Sequence, residues 1–174
     1  MRLDEIDSTI LSKAVLSSRI KYDLYHISHG KIEPGIWKPQ ISKSQIVDNV
    51  PKISVAPTIT NCYWAVYSKY AKEFEEKHKS YLTFYVYQPI FSGNEKVLLP
   101  NALTSMKLAP AAHVTHEHWI INSTMMKLLY KIKIFNTNMS PELTYRPFGK
   151  GQMTFLSPLE VSFKVIDDYT TTEN

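Results

Sequence analysis

The chain of 174 residues is 44% apolar and 21% charged, enough apolar side chain for one domain with a real core and too much for a disordered polymer. Its net charge of +4 comes from lysines spread along the chain, not from a basic block, which argues against a nucleic-acid footprint. No apolar run approaches the ~20 residues of a membrane helix, and the acidic N-terminus lacks the pattern of a signal peptide, so a cytoplasmic protein away from membranes is expected.

Apolar residues at Ile6, Ile10, Leu11, Ala14 and Val15 have helical spacing and predict a short helix within 4–19. Lys21 to Ser28 alternates as a strand and ends at His29-Gly30. The segment 31–50, broken by Pro34-Gly35 and Pro39, reads as a long mobile surface loop. Lys52 to Ala56 is a β-branched strand. After Pro57, Thr58 or Thr60 caps an amphipathic helix over about 61–78, with Tyr63, Val66, Tyr67, Tyr70 and Phe74 on its apolar face. Tyr81 to Tyr87 is the clearest strand, closed by Pro89, and Lys96 to Leu99 is a shorter one. The stretch 101–114 reads as loop with one turn of helix.

Glu117 to Ile121 and Met125 to Phe135 are further strands, the second half-buried by its alternation of Lys131 and Lys133 with Ile132 and Ile134. Beyond a turn at Gly149-Lys150-Gly151, Met153 to Leu156 and Glu160 to Ile166 read as strands. The expected fold is α+β over residues 1–174 as one domain: a twisted, mostly antiparallel, split sheet with one main amphipathic helix. Residues 1–20 form its N-terminal helical segment and 136–174 a C-terminal strand extension.

Cys62, the only cysteine, can form no internal disulfide and reads as a small buried hydrophobe on the helix. His113, His116 and His118 lie between a loop and a strand, without the HExxH spacing of a helical zinc site, so no metal is expected and exposed imidazoles are. No glycine-rich phosphate cradle is present among the five glycines. Abundant Tyr, Lys, Ile, Asn and Ser with scarce Gly suit an AT-rich genome, that of a bacterial virus or an AT-rich bacterium.

Four dispersed pieces carry the remaining signal: Tyr25-His26-Ile27-Ser28, Ile53-Ser54-Val55-Ala56 running into the helix, Tyr85-Val86-Tyr87-Gln88-Pro89, and Glu117-His118-Trp119. Together they resemble the ADP-ribosyltransferase fold, in particular its rifampicin-modifying branch and the related RNA 2′-phosphotransferases. The resemblance spans 24–135 and implies an NAD-using transferase. His26 would contact the dinucleotide with Ser28 beside it, and Ser54 or Tyr63 would take the second position. Glu117 would be the catalytic acid that stabilises positive charge on the ribose, and Trp119 or Tyr63 would stack on nicotinamide. Ile27 departs from the pattern, standing where the family often has glycine. The alternative is a non-catalytic module of the same fold that binds a nucleotide or a host protein.

Overall fold

The computed structural model describes residues 8–41, 50–76, 79–135, 145–148, 152–155 and 161–171. It is an α+β fold with mostly antiparallel sheets and few helices. A five-stranded sheet is built on β5 (Tyr81–Ile90) and β8 (Thr124–Phe135), which pair along nearly their whole length. β2 (His26–Ser28) joins the free side of β5, while β3 (Gly35–Trp37) and β11 (Phe163–Asp168) share the far side of β8. The four-stranded sheet runs β1 (Val15–Leu16), β6 (Lys96–Leu98), β7 (His118–Ile120), β4 (Ile53–Val55). The two sheets touch edge to edge where Tyr25 and Ala56 exchange backbone hydrogen bonds of 2.8 and 2.9 Å.

The long helix α2 (Ile59–Glu76) follows β4. Thr58 is its cap, its Oγ1 accepting from the Asn61 backbone N–H at 3.0 Å. Tyr63, Tyr70 and Phe74 recur at helical spacing and pack on Leu82, Phe84, Val86, Ile132 and Ile134, the inward alternates of β5 and β8. Each such burial stabilises by about 1.5–3 kcal/mol. The opposite face of the five-stranded sheet meets the four-stranded one through Tyr87, Met126 and Leu128 against Ile53, Val55, Val97 and Ile120. Beyond the smaller sheet, a third cluster joins Trp119, Leu98 and Ile121 to α3 (Pro100–Ser105), α4 (Ala112–Thr115) and α1 (Ser8–Lys13).

Several expectations are corrected. The N-terminal helix stops at Lys13, because β-branched Val15 pairs with Val97 as an edge strand. Of the strand expected over 21–28, only the end forms, from the Tyr25 bridge onward. The segment 31–50 is not all loop: Gly35, at a φ of 133° that favours glycine, starts β3, and Gln40 bridges to Lys52. Residues 42–49 lie outside the described residues.

Pro89 sits inside β5, not at its end. Among the described residues β2 covers only 85–87 on the other side of β5, so Pro89 stands at an edge position of the kind proline tolerates. The stretch 101–114 holds parts of two helices. Pro100, read as a strand terminator, occupies the first turn of α3, where its missing N–H costs nothing. In the tail, β9 (Tyr145–Phe148) pairs with β10 (Gln152–Phe155), a partner the alternation did not reveal. The Gly149–Gly151 turn lies outside the described residues.

Candidate functional site

The edge where the two sheets part gathers most of the residues singled out above. Pairing of β4 with β7 sets Ser54 opposite Trp119, and both side chains reach Glu117, the residue just before β7. The Ser54 hydroxyl donates to Glu117 Oε1 at 2.6 Å and the Trp119 indole N–H to the same oxygen at 2.8 Å. Among the described residues the other carboxylate oxygen has no hydrogen-bond donor.

Glu117 is presented by a sharp corner. His116 takes the left-handed conformation, φ 53°, and turns the chain from α4 into β7. The corner is braced by the buried His118 ring, whose Nδ1 lies 2.8 Å from the His116 carbonyl and whose Nε2 lies 2.7 Å from the Tyr22 hydroxyl. A carbonyl only accepts, so Nδ1 carries the proton and the tyrosine donates to Nε2. Burial holds the His118 pKa below the ordinary value. The exposed imidazoles expected at this triplet are therefore only His113 and His116. Among the described residues no group of three His, Cys, Asp or Glu side chains could hold a metal ion.

His26 comes to the same place from the larger sheet. Its Nδ1 lies 2.8 Å from the Ser54 carbonyl, so that nitrogen donates and Nε2 is left as an acceptor. Desolvation lowers the His26 pKa, outweighing the raising effect of the Ser54 bond, which keeps the ring neutral. Trp37 stands edge-on to this ring at 5.3 Å between centroids, and Tyr87 backs Trp37 at 4.7 Å.

A cleft of about 40 Å³ opens between β2, β4 and α2, lined by His26, Ser54, Cys62, Ala65 and Val66 among others. Cys62 is buried, as read from the sequence. Its thiol donates to the Tyr25 carbonyl at 3.1 Å, and burial pushes its pKa up to about 12.

Four predicted residues, His26, Ser54, Glu117 and Trp119, thus form one hydrogen-bonded group drawn from three distant segments. Ser28 lies two residues further along β2, beside Tyr85. Tyr63 does not join them: it is 3% exposed, with its ring against Phe84 and Tyr67 in the core. Trp119 is fully buried, and the Lys52 ammonium sits 3.4 Å from its ring centroid, so it acts through its N–H and offers no open face. Trp37, edge-on to His26, and the Tyr22–His118 pair that braces the corner surround this group without hydrogen bonding to it, and the sequence does not single them out in that role. His118 adjoins Glu117 in sequence, and that adjacency was the one available signal. Comparison with family profiles, curated proteins and solved structures matched nothing.

Proposed function

We propose that the chain is an ADP-ribosyltransferase-like protein that uses NAD, with the edge between the two sheets as its site. The observation that carries this reading is the chain of hydrogen bonds from His26 through Ser54 to Glu117. It leaves two acceptors unfilled among the described residues, His26 Nε2 and the second Glu117 oxygen. Two such acceptors suit the hydroxyl donors of a ribose. Bound NAD would supply a glycosidic bond whose cleavage builds positive charge on that ribose.

Glu117 would stabilise the developing charge. Ser54 and Trp119 hold its carboxylate in one orientation, so no reorganisation is needed at the moment of reaction. His26, neutral and with its tautomer set by the Ser54 carbonyl, would accept from a ribose hydroxyl and orient the sugar. The small cleft volume, about 40 Å³, favours a second reading: a non-catalytic module that holds only part of a nucleotide, or a host protein.

A thermal-shift titration with NAD, run beside a nicotinamide-release assay, separates the two. For the enzyme, Glu117→Gln lowers turnover by about 100-fold or more with little change in NAD affinity, because the ground state carries less of the charge. His26→Ala weakens NAD binding itself. A shift without release supports the binding module; neither shift nor release removes the dinucleotide from both readings.

A further inference from the structure

The outer face of the five-stranded sheet, away from α2, collects lysines that the sequence scatters. Pairing places Lys133 of β8 directly opposite Lys164 of β11, and Lys131 follows two residues along on the same face. Like charges directly opposite one another on adjacent strands destabilise a sheet, and the contact of Lys133 with Tyr81 offsets that for one member of the pair only. Aromatic rings lie among the lysines. The Lys133 ammonium is 4.0 Å from the centroid of Tyr81 and that of Lys131 is 5.8 Å from Tyr85. Phe135 meets the Tyr81 ring at 6.3 Å. Tyr81 is 39% exposed, Phe135 36%, and Lys164 is exposed.

We propose that this face binds single-stranded nucleic acid. Phosphates would sit between Lys133 and Lys164 and relieve their repulsion, while bases stack on Tyr81 and Phe135. An acidic protein segment would answer the lysines but make no use of open rings. Asp167, 3.6 Å from Lys131, partly neutralises one end of the row. The strand would therefore lie toward the Tyr81 end. Tyr81 and Tyr85 are about 13 Å apart along β5, so the two ring–ammonium pairs would meet successive parts of one strand, not a single phosphate. Strand pairing, not sequence proximity, brings these lysines together, so their scatter along the chain does not count against the face. This inference is independent of the NAD reading, and its test needs no cofactor.

The test is fluorescence anisotropy with labelled single-stranded DNA and RNA oligonucleotides, with a duplex and polyglutamate as competitors. Either single strand should bind ahead of both. The double variant Lys133→Gln/Lys164→Gln should lose about fivefold affinity per lysine at 0.1 M salt, and its log–log salt slope should be shallower by about 1.4. The single variant Lys164→Gln, which keeps the contact of Lys133 with Tyr81, should melt no lower than the unaltered protein, since a repulsion has been removed. Tyr81→Ala should weaken oligonucleotide binding and leave any polyglutamate binding unchanged. No binding, an unchanged salt slope, equal competition by polyglutamate or duplex, or a lower-melting Lys164→Gln variant would each overturn the proposal.

Discussion

Glu95 is 5% exposed and fully occupied. Its carboxylate accepts from the Ser17 hydroxyl at 2.5 Å, from the Ser92 N–H and hydroxyl at 2.9 and 2.8 Å, and from the Gly93 N–H at 3.1 Å. Burial alone would raise its pKa, but these donors outweigh it and hold the group at about 2, against an ordinary 4.5. A depressed carboxylate contributes stability that is complete above pH 4.5 and lost as pH falls toward 2, here about 3 kcal/mol at most. His118 also loses stability in acid, for a different reason. Its folded pKa, like that of His26, lies below the ordinary 6.5, so the unfolded chain takes up the proton first and stability falls as pH drops below 6.5. Urea midpoints measured against pH should therefore decline in two stages, one below 6.5 and one below 4.5. Glu95→Gln should shrink the second stage and keep the first; a second stage of unchanged size in this variant would sink the assignment.

At the scale of elements, Tyr87 ties the chain between β2 and β3 to the sheet. Its hydroxyl donates to the Ile32 carbonyl at 2.8 Å and accepts from the Ile32 N–H at 2.7 Å. The same ring backs Trp37, which stands against His26. Tyr87→Phe should cost about 1 kcal/mol and speed amide exchange at Ile32, leaving the amides shared by β5 and β8 as slow as before. Exchange at Ile32 that does not change would show that the hydroxyl does not hold this segment. The contrast between strands here explains what could be read. β5 and β8 were legible because five inward residues, Leu82, Phe84, Val86, Ile132 and Ile134, alternate with outward ones. β3 was not, because Gly35-Ile36-Trp37 has no alternation of its own and is a strand only through Thr124, Met125 and Met126 beside it.

For the whole molecule, the parts of the site were legible as strand ends and their meeting was not. His26 and Glu117 are 91 positions apart; what unites them is the bridge between Tyr25 and Ala56, which no local pattern encodes. Tyr63 was offered two roles by the sequence, stacking residue and core residue. Its spacing of seven and eleven from Tyr70 and Phe74 decides for the core, since all three fall on one helical face. The buried thiol of Cys62 lies beside that bridge, its hydrogen bond ending on Tyr25. As the only cysteine, and one whose pKa of about 12 leaves almost no thiolate at pH 8, it can serve as a clock. The cleft of about 40 Å³ that the thiol borders is too small for a bulky maleimide, so such a reagent should reach it only in the moments when the two sheets part, and the labelling rate counts those openings. A molecule seated in the cleft would slow the clock, and one bound to the lysine face would leave its pace unaltered. The single native sulfhydryl can thus tell which of the two surfaces a given ligand has chosen, and labelling as fast as that of a free thiol would mean the seam is never closed.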